Sequence, residues 1–483
     1  MSFVSEKIYF RADAGAEIGY GHFIRTLALA DMLKDDFSCV FVTQAPTIYQ
    51  KSEVAKVCEL VEVPATEEKF RLFLDMLNGD EIVVLDNYFY DTDYQQKIRA
   101  KGCRLVCIDD MHNKHYVADV VINHGLTNEN LFDTEFYTRL CLGLDWALLR
   151  APFLTCQQNK RASTDGVKKV VLGFGGCDHW NLTGKVCSLL LATPDIEQVT
   201  AIIGDAYQHS YLCDPRLCYR KNLGAAEIAE LFCKADLALL PASTMSFEAL
   251  ACGTVLATGY YVDNQVEIYH ELVKSGRALP LDDFSDERLK QRLDQVLHLP
   301  APATWKKGNI RKHYIELFHT LCFKNYRIGT FHFIDYRNLS EAQHLEVWQA
   351  RTDSRICCWM SNQTIFSFES HLDFVNSLRS FSDRFFWAVY KDNCFLGSVN
   401  IHVMDSGYAE RGIFMNPCLV GKAMAKEIEE NAYSIYRNLG ISVLKAKVRK
   451  NNIRSLKYHQ KTGYSIECEN EEYYFLIKIL NEL

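Results

Sequence analysis

The stretch "FRADAGAEIGYGHFIRTLALADML", Phe10 to Leu33, leads from a short apolar run into a longer run with helical spacing. Gly19 and Gly21 stand just before the longer run, and His22 follows them. Glycine lets the backbone turn sharply, and the amides at a helix N-terminus bind anions. The stretch predicts a strand, a tight turn and a helix, with His22 at the mouth of the turn. Such a turn is either a structural corner or half of an active site.

The composition excludes several classes of protein. A chain of 483 residues predicts two to four domains, and 48% hydrophobic with 24% charged residues is typical of a soluble globular protein. The net charge of -8 predicts no nucleic-acid partner and no membrane partner. Neither a secretory leader nor a membrane-spanning run is recognisable, and the 18 cysteines form no paired CxxC motifs. We therefore expect free thiols and a cytoplasmic location.

Three blocks follow one another along the chain. The first two alternate apolar, β-rich runs with helical ones, which predicts two doubly wound parallel α/β domains of Rossmann-like type. From Tyr326 the pattern changes to helices followed by antiparallel strands, which predicts an α+β domain. The expected domains are residues 1–155, 156–325 and 326–483, and the polar stretch "CQQNKRASTDG" (Cys156 to Gly166) is expected to be a linker or loop.

Polar residues follow several strands of the first two blocks, where ligands of open α/β sheets bind. The adjacent Gly175 and Gly176 before a helix suit a backbone cradle for phosphate, although such pairs also form plain turns. Glu248, early in another predicted helix, is suited to accept hydrogen bonds from a ribose diol. The expected substrate-binding residues are Asp13, Gly19, Gly21, Gly175, Gly176, Ser243, Thr244, Glu248, Asn264 and Gln265.

Residues 8 to 300 carry an ordered set of motifs that resembles one enzyme family. "RADAGAEIGYGHFIRTLALA", "LDNYFYD", "IDD", "GFGGCDHWNLT", "STMSFEALACGT" and "DNQ" are similar to motifs of the UDP-2,4-diacetamido-2,4,6-trideoxy-β-L-altropyranose hydrolases of pseudaminic acid synthesis. The resemblance implies a glycosyltransferase-B architecture, UDP held by the second domain, and metal-free hydrolysis with inversion. It places the catalytic histidine at His22 and a catalytic tyrosine at Tyr88.

The chemistry of histidine fits that role, because imidazoles titrate near neutral pH and can take a proton from water. UDP leaves as a stabilised anion, so a helix N-terminus and glycine amides can replace a metal. A histidine at this position could instead cap the helix or pack in the core. Asp109 and Asp110 look like a carboxylate pair, but the reaction needs one base, and we expect one of them to be structural.

The last block resembles the GCN5-related N-acetyltransferases over about residues 327 to 480, in "GIFMNPCLVGKAMAKEIEENAYSIY" and "VRKNNIRSLKYHQKTGYSIE". "RICCWMSNQTIFSFESHLDFVNSL" is similar to the branch that N-acetylates a UDP-4-amino sugar in the same pathway. The resemblance implies acetyl-CoA as cosubstrate. The residues expected to bind it are Met415, Val420, Gly421, Lys422, Ala423, Ala425 and Asn452.

Two features depart from the acetyltransferase pattern, the pyrophosphate loop and the tyrosine position. Val420 replaces a basic or amide residue, and Ala423 replaces the first glycine of the pyrophosphate loop. The tyrosine that often protonates the CoA thiolate aligns with His459, and Tyr458 lies beside it. Neighbouring helical residues point about 100° apart, so the two cannot share one role. Either His459 is the acid, or Tyr458 is, or the domain is weakened.

The sequence thus predicts a bifunctional enzyme of nucleotide-sugar metabolism. One domain would acetylate a UDP-4-amino sugar, and the other two would release the 2,4-diacetamido sugar from UDP. Its expected partners are UDP-activated amino sugars, water and acetyl-CoA, with no metal. Two alternatives remain open, namely a glycosyltransferase that uses a different acceptor and a UDP-sugar-binding protein with a degenerate acetyltransferase domain.

Overall fold

The computed structural model describes residues 6–15, 19–135, 137–156, 166–176, 178–204, 206–322, 325–381, 383–405, 407–422 and 424–480, with only the backbone at 286, 287 and 405. The chain divides into two compact units, Met1–Ile315 and Glu316–Leu483. The first unit contains two large parallel sheets and a two-stranded parallel sheet formed by His115–Tyr116 and Asp133–Thr134, and the second unit contains one mixed sheet. Most of the predicted linker, residues 157–165, lies outside the described residues.

The first unit alternates strands and helices in chain order. Its strands are β1 (Lys7–Ala12), β2 (Ser38–Gln44), β3 (Glu59–Val63), β4 (Ile82–Asp86), β5 (Arg104–Ile108), β6 (His115–Tyr116), β7 (Val120–Asn123), β8 (Asp133–Thr134), β9 (Arg139–Leu142), β10 (Lys169–Leu172), β11 (Gln198–Ile203), β12 (Leu217–Lys221), β13 (Leu237–Pro241), β14 (Val255–Gly259) and β15 (Leu279–Asp282). Its helices are α1 (Gly21–Leu33), α2 (Ile48–Ala55), α3 (Glu68–Met76), α4 (Thr92–Ala100), α5 (Ala151–Thr155), α6 (Leu182–Leu191), α7 (Ala225–Lys234), α8 (Thr244–Ala251), α9 (Asp263–Lys274), α10 (Asp286–His298) and, at the unit boundary, α11 (Ile310–His319).

The first sheet has the strand order β3-β2-β1-β4-β5-β7-β9, with all neighbours parallel. Helices cover such sheets on both faces, which is why β1, β4 and β7 are almost continuously apolar and buried. The strand order reverses between β1 and β4, where ligands of doubly wound sheets bind. Ala12 pairs with Asp86 across these strands, so both strands end at that point.

The second sheet repeats this architecture with the order β12-β11-β10-β13-β14-β15, again parallel. Its order reverses between β10 and β13, which lead to the Gly175–Gly176 turn and to Ser243 respectively. The two doubly wound sheets predicted from the sequence are therefore confirmed. The sequence pattern does not predict the strands β3, β9, β12 and β15 of these two sheets. Of these, β3 and β12 are only partly buried.

The second unit forms an α+β domain. Its strands are β16 (Tyr326–Ile328), β17 (Phe331–Asp335), β18 (Arg384–Lys391), β19 (Cys394–Asp405), β20 (Tyr408–Met415), β21 (Val443–Arg449), β22 (Ser465–Glu469) and β23 (Tyr473–Ile479). Its helices are α12 (Glu341–Thr352), α13 (Ser354–Cys357), α14 (Phe368–Leu378), α15 (Met424–Asn438) and α16 (Ile453–Lys461). The eight strands form one sheet in the order β16-β17-β18-β19-β20-β21-β23-β22.

One pairing in this sheet creates a cleft. The strands β20 and β21 are parallel and pair at Tyr408–Val443, Ala409–Leu444 and Glu410–Lys445. Beyond these pairs β20 continues to Met415 and β21 to Arg449, while each keeps its antiparallel neighbour on the other side. The helix α15 begins at Met424, after the loop that contains Gly421 and Lys422.

Candidate active sites

His22 and Asp86 form the centre of the first candidate site. The Nδ1 atom of His22 lies 2.7 Å from Oδ1 of Asp86, and both side chains are buried. Asp86 ends β4 and His22 stands in the first turn of α1, so the reversal of strand order brings them together. An ionised carboxylate only accepts hydrogen bonds, so Nδ1 of His22 is the donor. The Nε2 atom makes no hydrogen bond to any described residue and is left to accept a proton.

Arg25 holds this pair in place from the next turn of α1. Its Nε and Nη2 atoms donate to the two oxygens of Asp86 at 2.7 and 2.6 Å, and Nη1 donates to Asp110 at 2.9 Å. Thr26 also donates to Asp86, at 2.8 Å. Burial opposes ionisation of Asp86, but the charges of Arg25 and His22 outweigh it and lower the pKa of this carboxyl well below its usual range. Asp86 is therefore a permanent anion behind His22.

Tyr88 completes the site from the loop after β4. Its ring meets the ring of His22 edge to face, with centroids 4.6 Å apart. Its hydroxyl donates to Asp110 at 3.3 Å and accepts from Nδ2 of Asn264 at 2.9 Å. Asn264 lies on α9, which connects β14 and β15 of the second sheet, so this hydrogen bond joins residues that follow strands of two different sheets. His22, Tyr88 and Asn264 thus lie together.

The two adjacent carboxylates after β5 have different roles. Asp109 accepts hydrogen bonds from the amides of Met111 and His112 at 3.0 and 2.6 Å and thereby stabilises its own turn. Asp110 faces Arg25 and Tyr88, and its Oδ1 is buried without a hydrogen-bond partner among the described residues. One of the pair is therefore structural, as expected, and the other belongs to the site.

The carboxylate of Asp13 is engaged within the protein. It is fully buried and accepts hydrogen bonds from both Nη atoms of Arg11, from the amide of Gln44 at 2.8 Å and from Nζ of Lys69 at 3.1 Å. These donors stabilise the end of β1, and a contact of Asp13 with the substrate remains a prediction that would have to share this carboxylate. Gly19, at φ +78°, donates its amide to the carbonyl of Gly15, and Gly21 is the exposed first residue of α1.

The glycine turn of the second sheet stays a candidate for phosphate through its own amides, whereas the start of the helix after it does not. Gly175 and Gly176 are exposed, and Gly175 has φ +84°. Asp178, however, accepts hydrogen bonds from the amides of Leu182 and Thr183 at 2.8 Å each. A carboxylate already occupies the anion position at the start of α6, so this helix start is closed to a phosphate.

The start of α8 is more open. The side chain of Ser243 does not cap the helix, and Thr244 is its partly exposed first residue. The buried Ser246 hydroxyl donates to the carbonyl of Pro241 at 2.7 Å. The first turn of α8, following β13 at the reversal of strand order, is therefore the better candidate for phosphate.

Glu248 and Gln265 are engaged within the protein. The buried carboxylate of Glu248 accepts from Nε and Nη2 of Arg150 at 2.7 and 2.8 Å. Its contact with a ribose remains a prediction, and a ribose would have to share it with Arg150. The Oε1 atom of Gln265 accepts from the amide of Tyr261 at 3.1 Å and stabilises the turn before α9.

The second candidate site is a cavity of about 1360 Å³ where β20 and β21 diverge. Most residues expected to bind acetyl-CoA line it. They are Met415, Val420, Gly421, Ala425 and Asn452, together with Tyr458 and His459. The side chain of Asn452 caps α16 by accepting from the amide of Ser455 at 3.0 Å, and Lys422 is exposed beside the cavity loop. Ala423 lies outside the described residues.

Arg454 is a residue of this cavity that the sequence analysis missed. A Cβ atom placed on Gly421, which has φ +101°, would lie 2.8 Å from Nη2 of Arg454. The guanidinium therefore lies against the loop that precedes α15, where Val420 offers no charge. The sequence could have indicated Arg454 as a cavity residue, because it stands two residues after Asn452, in the first turn of a predicted helix.

His459 and Tyr458 have different surroundings. Nδ1 of His459 donates to the carbonyl of Ser455 at 2.7 Å, and Nε2 accepts from Nη1 of Arg411 at 3.3 Å. Burial, reinforced by the Arg411 charge, lowers the pKa of His459 to about 4, so its ring is neutral at pH 7. Its only N–H is already donated, which argues against His459 as an acid.

Tyr458 is only partly buried, and its hydroxyl lies at the cavity between the carbonyl of Ala425, at 3.1 Å, and the carboxylate of Glu429. Burial raises the pKa of this phenol well above its usual value. It keeps its proton at neutral pH, although that proton is already donated, as the N–H of His459 is. The choice between the two therefore rests on burial, and Tyr458 is the less buried residue at the cavity.

None of the described helices is both long and apolar enough to cross a membrane.

Comparisons with known proteins fit both sites. The model of the acetyltransferase (GNAT) domain family matches residues 334–465. A UDP-2,4-diacetamido-2,4,6-trideoxy-β-L-altropyranose hydrolase of Campylobacter jejuni is 24% identical over 56% of this chain and 97% of its own length. The acetyltransferase PseH of the same species is 28% identical over 30% of this chain and 92% of its own length.

The combination of the two regions also occurs elsewhere. An uncharacterised protein of Methanocaldococcus jannaschii is 24% identical over 95% of this chain and 96% of its own length. The chain thus joins a region similar to a UDP-sugar hydrolase to an acetyltransferase domain of the GNAT family.

Proposed function

We propose that this chain, which joins a hydrolase-like region to a GNAT domain, is a bifunctional enzyme of pseudaminic acid synthesis. The first unit would hydrolyse UDP-2,4-diacetamido-2,4,6-trideoxy-β-L-altropyranose to UDP and the free sugar. The second unit would use acetyl-CoA to acetylate the 4-amino group of the UDP-sugar precursor. The observation that carries the hydrolytic half is the hydrogen bond of 2.7 Å between His22 and Asp86 at the reversal of strand order.

In the hydrolytic step, Asp86 keeps the proton of His22 on Nδ1, so that Nε2 can accept a proton from water. The water oxygen forms a bond to the anomeric carbon while the bond from that carbon to the diphosphate breaks. Attack opposite the departing UDP inverts the anomeric centre. The first turn of α8, including Ser243 and Thr244, and the exposed amides of Gly175 and Gly176 are proposed to stabilise the diphosphate. The proton on His22 then returns to solvent.

In the acetyl transfer, the uncharged amine of the UDP-4-amino sugar attacks the thioester carbonyl of acetyl-CoA. The carbon–nitrogen bond forms, the carbon–sulfur bond breaks, and the amine loses a proton to solvent, from which the acid that protonates the thiolate regains its own proton. We assign Tyr458 as the acid that protonates the thiolate, since its hydroxyl lies at the cavity. The acid is not essential, because a thiolate is already a fair leaving group. Main-chain amides around Gly421 and the Arg454 guanidinium are proposed to hold the pyrophosphate of CoA.

Acetylation precedes hydrolysis in this scheme, because the hydrolase substrate already carries both acetamido groups. A glycosyltransferase would share the UDP site but would need a second acceptor near His22. The similarity of the first region to a hydrolase over 97% of that enzyme's length favours water as the acceptor.

The proposal is tested by incubating the full chain with the UDP-4-amino sugar, with and without acetyl-CoA, and identifying products by mass and NMR. We expect the acetylated UDP-sugar, UDP and free diacetamido sugar only when acetyl-CoA is present. Acetylated UDP-sugar without any free sugar would refute the hydrolytic half. Release of UDP only when a second sugar acceptor is added would show a glycosyltransferase.

A further inference from the structure

Three cysteines from three helices meet beside the second sheet, and none of them has a role in the sites described above. Cys156 follows α5, Cys233 lies in α7 and Cys252 follows α8. Their sulfur atoms all lie within 4.8 Å of one another, and those of Cys156 and Cys233 are 3.6 Å apart. Cys252 is buried, and the other two are partly buried.

These separations match a metal site more closely than a disulfide. Zinc–thiolate bonds of about 2.3 Å place tetrahedral sulfur ligands about 3.8 Å apart. The observed 3.6 Å between Cys156 and Cys233 is close to that distance, and the limit of 4.8 Å leaves only a small contraction for the third sulfur. A disulfide needs sulfurs about 2.05 Å apart and would use only two of the three.

A nearby cation balances the charge of such a site. The ammonium group of Lys307 donates to the carbonyl oxygens of Phe153 and Cys156, the latter at 3.4 Å. Three thiolates, one divalent cation and Lys307 sum to zero, which matters because buried net charge is costly. The same lysine would compensate only part of the charge of three thiolates without a metal.

We propose that Cys156, Cys233 and Cys252 bind one thiophilic ion, Zn²⁺, through three thiolates, with the fourth position open to a small ligand such as water. Soft thiolate ligands favour zinc over magnesium or calcium. The ion would link the ends of α5 and α8 to α7 and so stabilise α8, the helix that begins at Thr244. The site is structural and has no role in the two reactions proposed above.

The sequence gives no sign of this site. Cys156 and Cys233 are 77 residues apart, and Cys252 follows 19 residues after Cys233, so no CxxC spacing arises. The expectation of no metal came from the resemblance to metal-free hydrolases. A site assembled from separate helices is compatible with metal-free chemistry at His22.

The test uses the untagged, reduced full chain, stripped of metal and titrated with Zn²⁺ against a chromophoric chelator. We expect one tightly bound zinc per chain, and affinity at least about 100-fold weaker in Cys156→Ala, Cys233→Ala and Cys252→Ala. Cys187→Ala is the matched control, because Cys187 is a buried cysteine on α6 of the same sheet. Cobalt should give a sulfur-to-metal charge-transfer band in the wild type and in the control variant.

A second measurement needs no variant and therefore does not depend on whether the variants fold. Alkylation of the wild-type chain, read out by mass spectrometry, should be slowed by Zn²⁺ at these three cysteines and not at exposed Cys213 or Cys218. Equal zinc affinity in the wild type and in the three variants would overturn the proposal. Zinc protection confined to other cysteines would overturn it as well.

Discussion

Asp86 controls the first site because it is the common acceptor of three side chains. His22, Arg25 and Thr26 all donate to it, and it is fully buried. A buried charge is tolerated only when it is paired, and Arg25 supplies that pairing. Asp86 thereby fixes both the tautomer and the direction of the His22 ring.

We predict that Asp86→Asn lowers kcat for UDP release by about 10²–10⁴-fold with a much smaller change in KM. An amide carries no charge to hold the Nδ1 proton or to stabilise the imidazolium that forms. Steady-state kinetics of UDP release measure both constants. Asp109→Asn is the control, because that carboxylate only stabilises its own turn and should change kcat little. Equal losses in the two variants would contradict the assignment.

Tyr458 and His459 lead to a second prediction at the residue scale. Tyr458→Phe should slow acetyl transfer about 10-fold, since it removes the hydroxyl that lies at the cavity. His459→Gln should leave kcat nearly unchanged and lower the thermal midpoint, because both ring nitrogens are engaged inside the protein. Turnover assays and thermal unfolding of both variants measure this. The reverse ranking of the two kcat values would identify His459 as the acid.

At the scale of elements, the strand ends were largely predictable and their partners were not. Apolar runs followed by glycine and polar residues locate the ends of β1, β10 and β13 without any structure. Arg25 and Asp86, by contrast, look like an exposed helix position and a plain strand end, because their pairing depends on which strands are neighbours. The partners of Asp13 were unpredictable for the same reason, since Arg11 and Lys69 reach it only in the folded sheet.

The loop between β20 and α15 gives an element-scale prediction. Arg454→Ala should weaken acetyl-CoA binding about 10-fold to 100-fold, as expected when a charged hydrogen bond to phosphate is lost. Isothermal titration calorimetry of the full chain gives the dissociation constant. Lys457→Ala is the matched control, because Lys457 is an exposed cation on the same helix α16. Equal affinities of Arg454→Ala and the wild type would leave the loop amides as the main contact.

The helices α12 and α14 are linked by two buried histidines, with Nδ1 of His344 3.3 Å from Nε2 of His371. Burial lowers the pKa of each to about 4, against about 6.5 in the unfolded chain. Below pH 6.5 the unfolded chain therefore binds protons that the folded chain does not. Stability should fall as the pH drops from about 6.5 to about 4, by up to about 1.4 kcal/mol per pH unit for each histidine.

Calorimetric unfolding of the full chain between pH 7 and pH 4.5 measures this slope, with the second unit identified by its shift on adding acetyl-CoA. His371→Gln should make the slope shallower. His402→Gln is the control, because His402 is half-exposed and paired with Asp383. A slope that is the same in wild type and His371→Gln would contradict the prediction.

At the scale of the whole molecule, the chain consists of two units with separate cores. Tyr9, Val40 and Leu105 belong to a core of the first unit, and Trp387, Val399 and Leu444 belong to a core of the second. The sequence pattern changes at Tyr326, close to the division between the units after Ile315. It changes there because a parallel sheet and an antiparallel sheet need different residue patterns. The residues proposed for each reaction lie within one unit.

The most direct measurement is therefore a pair of assays on the full-length His22→Ala variant. One assay follows UDP release from UDP-2,4-diacetamido-2,4,6-trideoxy-β-L-altropyranose, and the other follows acetyl-CoA-dependent acetylation of the UDP-4-amino sugar. We predict that UDP release falls by about 10²–10⁴-fold while acetylation stays at the wild-type rate. UDP release within a few fold of wild type would remove His22 from the mechanism and contradict the account.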